Sequence, residues 1–347
     1  MNDFGLVLST ARRARGLTQE DLALAAEITQ AALSRYENDQ REPDDEVLAR
    51  LAKALGVTPE FLRVAGRVRG GMAVEAHMRR RQTAKPTVWR QLESQLNMYR
   101  MHARQIYEEV SVRAEQSVPQ LDLVETTPEA AARIVRMQWR MPVGSVRNLT
   151  QWLEAAGCIV IEEDFGTARV DGLSQWIDDY PVIMINNRVP TDRKRLTLAH
   201  ELAHLVLHSE NVSSEMEDEA NRFAGEFLMP TEMIRPQLRT LTLGRLHDLK
   251  REWGTSMQAL IERAHHLGLI TATQRTNLYK SLSARGWRTR EPLSDELMQE
   301  TPTLTRAIGE ALAAKGYSKA EIDRLAGFDE SVPDHPFRPT RSRLQLV

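Results

Sequence analysis

The chain has 347 residues, long for one domain, with 41% hydrophobic and 27% charged residues, the composition of an ordinary globular protein rather than a collagenous or broadly disordered one. Its 46 basic and 48 acidic side chains exclude a uniformly basic nucleic-acid coat but not a local DNA-binding face. The single cysteine, Cys158, excludes an internal disulfide and a thiolate zinc knuckle, and with no 18-residue apolar run and no leader-like start the expectation is a cytoplasmic protein with no membrane partner.

Residues 1–66 read as at least four short helices with tight links. Apolar positions recur at helical spacing through Leu8, Leu22, Leu33 and Leu48, and each segment carries a start signal: Thr18 before Asp21, Thr29, Asp44, and Thr58 with Pro59. Residues 67–118 are a basic hinge and linker helix. Ten basic against four acidic residues fall between Arg67 and Arg113, whereas residues 1–66 hold eight against eleven. Gly70, Gly71 and Pro86 interrupt this stretch, and a polar helix is expected from about Val88.

A further domain is expected over 119–291, with helix starts at Thr127-Pro128 and Val143, and three strand-like stretches at 158–161, 170–177 and 182–186. A long helix from about Arg193 and another from about Glu215 to Met229 follow, then more helices to about Gly286. Residues 292–347 form a C-terminal helical tail with one clear helix, Thr305 to Gly316, and a Pro-rich end around Pro333, Pro336 and Pro339 expected to be loose. No internal repeat is evident. The fold class is thus mainly α with a small three-stranded sheet (α+β).

The helix-like run LTLAHELAHLVLH contains His200, Glu201 and His204. Residues four apart share one helix face, so both imidazoles can converge on one ion, and Glu201, rotated by roughly 100°, stands beside it where it can take a proton from bound water. A Zn2+ site of this kind needs a third protein ligand. His208 lies a further turn on and is expected to support the site from outside the ion. On the next helix Glu217 and Asn221 can share the side facing the two histidines, while Glu219 should face elsewhere; spacing alone leaves Glu217 and Glu219 as alternatives.

The runs LTLAHELAHLVLH, EDEANRFAGEFLMP and PVIMINN resemble the ImmA/IrrE (DUF955) metallopeptidases, a minimal zincin family, over about Val143 to Pro292. The resemblance implies metal ligation by His200, His204 and Glu217, Glu201 as catalytic base, and Asn221 as the partner orienting a ligand. It also implies that the strand carrying Ile183, Met184, Ile185 and Asn186 is an edge that pairs with an extended protein substrate. No oxyanion stabiliser is implied; His247, His265, His266, Tyr180 and Arg188 are candidates.

The run RRARGLTQEDLALAAEITQAALSRYENDQREPDDEVLARLAKALGVTPEFL resembles the XRE-type (Cro/C1) helix-turn-helix domain. The resemblance implies that Thr29–Glu37 enters the major groove of a double-stranded DNA operator, with Gln30, Ala31, Ser34 and Arg35 outward and Gln19 and Asn38 at phosphates. Glu27 and Asp39 stand where that family usually has Gly. Together the resemblances imply a DNA-binding transcriptional regulator fused to a zinc endopeptidase that cleaves a repressor or antitoxin-type regulator, or its own hinge, in stress, phage or mobile-element control. They also allow a homodimer on paired half-sites. The alternative is a non-enzymatic regulator whose metal domain senses or stabilises.

Overall fold

In the computed structural model, residues 4–64, 85–110, 114–177, 180–208 and 214–339 are described. Gly70, Gly71 and the rest of the expected hinge, with the chain beyond Pro339, lie outside them. The chain divides into two units, one of residues 1–113, 177–182 and 303–347, the other of 114–176 and 183–302. The described part is mainly helical with one three-stranded sheet, the expected α+β class. No described helix is long and apolar enough to cross a membrane.

The first unit opens with α1 (Phe4–Ala14), α2 (Gln19–Ala25), α3 (Gln30–Glu37), α4 (Asp45–Leu55) and α5 (Pro59–Val64). Thr18 and Asp21 close a capping box on α2, Thr29 caps α3 and Asp44 caps α4, each side chain satisfying a backbone N–H that the helix leaves unbonded. The core is Leu8, Leu22, Leu33, Leu51 and Leu62, all fully buried. Gly5 is required where α1 crosses the end of α3, because a Cβ there would meet the Glu37 carbonyl oxygen at 2.4 Å. Arg12 and Glu37 pair at 2.6 Å across the same junction.

The polar helix α6 (Pro86–Glu109) packs along α1. After the second unit the chain returns to the first with α15 (Leu304–Ala314) and α16 (Lys319–Leu325). Phe328 forms an antiparallel bridge with Val57, and Thr58 N donates to Gly327 O at 3.1 Å. His102 of α6 lies between the Phe61 and Phe328 rings, with centroids 4.3 and 3.9 Å away, and its Nδ1 donates to Ala326 O at 2.7 Å. Burial drives its pKa down to about 3. The Pro-rich end is packed, contrary to the sequence expectation: Phe337 is fully buried and Asp323 accepts from both Arg338 and His335. Buried pairing partners on α16, invisible to local composition, are the reason.

The second unit begins with α7 (Pro128–Gln138) and α8 (Leu149–Ala155), then β1 (Ile159–Glu163), β2 (Gly172–Ile177) and β3 (Tyr180–Asn186). Next come α9 (Thr191–Leu207), α10 (Met216–Leu228) and the short α11 (Thr231–Ile234), followed by a 3-10 turn. Three helices finish it: α12 (Leu243–Trp253), α13 (Met257–His266) and α14 (Ala272–Ala284). Helix α9 is buried nearly all round and packs against α10 and α7, with Trp139, Phe223 and Phe227 filling the core.

The strand order is β1-β3-β2. This corrects the expectation for Ile183, Met184, Ile185 and Asn186: β3 is the central strand, with both edges already bonded, and it cannot take up a peptide. Ile183, Met184 and Ile185 are core residues. Asn186 is buried at the strand end, donating to the Thr167 and Val170 carbonyls. The outer strands are β1 and β2, and it is β2 whose side chains bond to α9.

A buried network fixes the first turn of α9. Lys250 of α12 has no exposure and donates to Asp192, Glu291 and Ser294, at 2.8 Å to the last two. Arg195, three residues on, pairs with Glu300 and donates to the Val146 carbonyl.

Candidate metal centre and nucleic-acid interface

Helix α9 places His200 and His204 one turn apart, and α10 brings Glu217 to them. His200 Nε2 lies 3.1 Å from His204 Nε2; Glu217 Oε2 is 3.5 Å from the first and Oε1 3.6 Å from the second. Donor atoms around a tetrahedral ion with bonds of about 2.0–2.1 Å sit roughly 3.3 Å apart, so the spacing fits one metal. Among the described residues this is the one His/Cys/Asp/Glu group assembled so closely.

Proton placement supports the fit. Asn221 Oδ1 lies 3.1 Å from His200 Nδ1, and an amide oxygen only accepts, so Nδ1 carries the proton and Nε2 keeps its lone pair. Glu219 Oε2 is 3.0 Å from His208 Nε2, and a carboxylate only accepts, so His208 is the Nε2–H tautomer. Its Nδ1 then accepts from His204 Nδ1 at 3.0 Å, and His204 in turn presents an Nε2 lone pair. Burial, then repulsion from His204, pulls the His208 pKa down to about 4, which keeps it neutral at physiological pH. Burial likewise lowers His204. Two lone pairs and a carboxylate therefore face one another in a shielded site, a donor set suited to a divalent cation.

His208 thus stands where the sequence reading put it, one layer out. Glu219 does turn away from the Glu217 side, yet it holds the outer end of the His204–His208 chain. The sequence signal for it was available: Glu219 and His208 are an acid and an imidazole on the two helices that supply the ligands.

Glu201 is 4% exposed, one residue on from His200. Ser174 Oγ donates to Glu201 Oε2 at 2.8 Å and lies 3.1 Å from the Glu201 carbonyl oxygen. Gly172, Ser174 and Trp176 form the face of β2 toward α9. The Trp176 indole donates to Leu205 O at 2.9 Å, and a Cβ on Gly172 would meet Thr197 Cγ2 at 2.6 Å. Ser174 escaped sequence reasoning, since one serine in a strand carries no pattern. Beside Thr197 and Asn221 opens a cavity of about 700 Å³ that extends to Arg263, His265 and Arg288. Of the oxyanion candidates, Arg188 pairs with Asp164 and His266 with Glu129, neither of which belongs to the metal cluster.

In the first unit Gln30, Ala31 and Arg35 are exposed on α3, and Ser34 is half-buried. The Gln19 amide donates to Glu37 at 2.7 Å and its oxygen accepts from Gln30 at 2.7 Å, so it orients Gln30. Asn38 is exposed and donates to Ser34 O at 2.7 Å. Glu27 and Asp39, at the two positions where glycine was expected, both have φ of +54°, the left-handed region. Asp39 is supported there because its carboxylate accepts from Gly5 N at 2.7 Å.

Comparison with known proteins agrees with this geometry. Residues 8–62, spanning most of α1 through α5, match the helix-turn-helix family model. Residues 153–265, spanning the sheet, the metal cluster and most of α13, match that of the IrrE N-terminal-like domain, a peptidase family. A search of curated proteins finds no match to the chain. One chain thus joins a segment similar to helix-turn-helix DNA-binding domains to a segment similar to the IrrE N-terminal-like peptidase domain.

Proposed function

We propose that the chain is a DNA-binding transcriptional regulator and a zinc-dependent endopeptidase in one, acting in the cytoplasm on a repressor or antitoxin-type protein, or on its own chain. Control of stress, phage or mobile-element genes is the corresponding role. The single observation carrying this reading is the convergence of His200 Nε2, His204 Nε2 and the Glu217 carboxylate, with Glu201 beside them.

His200, His204 and Glu217 would hold Zn2+, and Asn221 and the His208–Glu219 pair keep both imidazoles in the ligating tautomer. When bound, the ion supplies Lewis-acid polarisation of a peptide carbonyl and acidifies water. Ser174 fixes Glu201 Oε2, which leaves Oε1 to take the proton from the attacking water. As the C–N bond breaks, Glu201 returns that proton to the departing amine. Among the described residues β2 is an edge strand of the sheet, its Ser174 and Trp176 side bonded to α9, and it is the strand on which an extended substrate would add. On the DNA side, Gln30, Ser34 and Arg35 read base edges while Ala31 offers a methyl contact, with Asn38 at the backbone and Gln19 setting Gln30 in place.

The test compares proteomes of cells carrying the intact chain and the Glu201→Gln form. A regulator that disappears only with the intact chain is expected, with equal metal content in the two purified proteins. Equal metal content and identical proteomes would overturn the peptidase reading.

A further inference from the structure

The two ends of the first unit repeat one another. α1 and α15 each span 11 residues, α2 and α16 each span 7, and every boundary is displaced by the same number of positions: Phe4–Ala14 answers Leu304–Ala314, and Gln19–Ala25 answers Lys319–Leu325. Gly16 and Gly316 take φ of +69° and +96° at the same turn. Thr18–Asp21 and Ser318–Glu321 form the same capping box. Turn bonds coincide: Leu17 N to Arg12 O with Tyr317 N to Leu312 O, and Ile28 N to Ala23 O with Phe328 N to Asp323 O. Glu27 and Gly327 close both second helices in the left-handed region. Only Ala11, Ala14, Gly16 and Ala26 recur as identical residues, in Ala311, Ala314, Gly316 and Ala326, which corrects the reading that the chain holds no repeat and explains it.

The copies part after Phe328. Where the first proceeds into α3, the second carries Pro333 and Pro336, and from Phe328 to Pro339, the last described residue, no helix answers α3. It is seated instead on the α4–α5 junction. Asp329 N donates to Gly56 O at 3.2 Å, Gly327 O accepts from Thr58 N, and a Cβ on Gly327 would meet Phe61 Cδ2 at 2.2 Å. That close approach is why glycine stands where the first copy has Glu27.

We propose that residues 304–339 are a duplicated helix-turn-helix front half that has lost its reading helix and serves as the built-in partner of the α4–α5 junction, so that each chain engages a single contiguous DNA half-site without a second copy of itself. A homodimer on paired half-sites needs a free, self-complementary face. Here the backbone groups of Gly56 and Thr58 and the Phe61 ring are engaged from within the chain, while Gln30, Ala31 and Arg35 stay exposed. The inference rests on the DNA-binding half of the proposed function.

The bonds flanking Val57 and Phe328 make these two a non-hydrogen-bonded antiparallel pair, with a Cα spacing of about 4.5 Å that suits a disulfide. The full chain carrying Val57→Cys and Phe328→Cys is oxidised; Cys158 is buried and does not compete. The expected link runs within one chain on a non-reducing gel. Selection from randomised duplexes should yield one uninterrupted block for both the locked and the unaltered protein, with affinities within about twofold. A link between two chains, an inverted repeat selected by the unaltered chain, or a tenfold loss of affinity on locking would overturn the proposal. If the double variant does not fold, the selection with the unaltered chain still decides. An intrachain link with no duplex selected by either protein would defeat the DNA-binding reading, and the half-site claim with it, while leaving the seat in place.

Discussion

Asn221→Ala isolates the proton placement on which the metal centre depends. Asn221 is exposed and its oxygen contacts only the outer nitrogen of His200, so its removal leaves the core and the three ligands in place. What is lost is the acceptor that holds the proton on Nδ1 and stops the ring turning. Removal of such an outer partner typically weakens metal binding by about 10- to 100-fold, and tenfold corresponds to about 1.4 kcal/mol. His200 keeps its neighbours on α9, so the lower end, about tenfold, is expected. The assay is a competition titration against a chromophoric chelator with zinc at neutral pH, beside a thermal scan of the metal-free protein, which should be unchanged. Asp218→Asn is the control, since Asp218 is exposed and its loss removes charge from the same helix without touching an imidazole. Unchanged affinity in Asn221→Ala, or an equal loss in Asp218→Asn, would refute the tautomer argument.

Glu27→Gly should stabilise the first unit by about 1 kcal/mol by relieving a left-handed non-glycine residue, whereas Asp39→Gly should give no gain because Gly5 N loses its acceptor; chemical denaturation of the two variants distinguishes them. His102 is neutral when folded, with its pKa at about 3, and protonated in the unfolded chain below about 6.5. Its contribution is complete above about pH 6.5 and is lost toward pH 3, so the first unit should lose about 2 kcal/mol between pH 7 and pH 5; His102→Phe should flatten that slope in pH-dependent melts. Lys250→Met leaves Asp192 and Glu291 buried without their shared cation and should destabilise the second unit by about 3–5 kcal/mol in denaturant unfolding.

The metal centre was legible because its chemistry is local: two imidazoles at helical spacing, then a carboxylate and an amide one turn apart on the next helix. Its supports were less legible. Ser174 reaches Glu201 through strand–helix packing, which no linear pattern encodes. The strand order was partly written in the chain. The unbroken apolar run from Val182 to Ile185 is that of a strand covered on both faces, whereas β2 mixes Gly172, Ser174 and Gln175 with apolar residues, as suits an edge. At the tail, proline content suggested looseness, but Phe337 and the Asp323–Arg338 pair hold it through contacts distant in sequence from the segment's own helical signals.

Gly172 has a consequence beyond packing. Strand β2 rests on α9 so closely that one methyl group would press on Thr197 Cγ2 and come within 3.1 Å of Glu201 Cγ. Alanine at this position would prise the strand outward and draw Ser174 away from the carboxylate, while both histidines and Glu217 stayed where they are. On the proposed peptidase reading, the clearance at a single hydrogen atom therefore sets the rate of cleavage without touching the three side chains that would hold the ion.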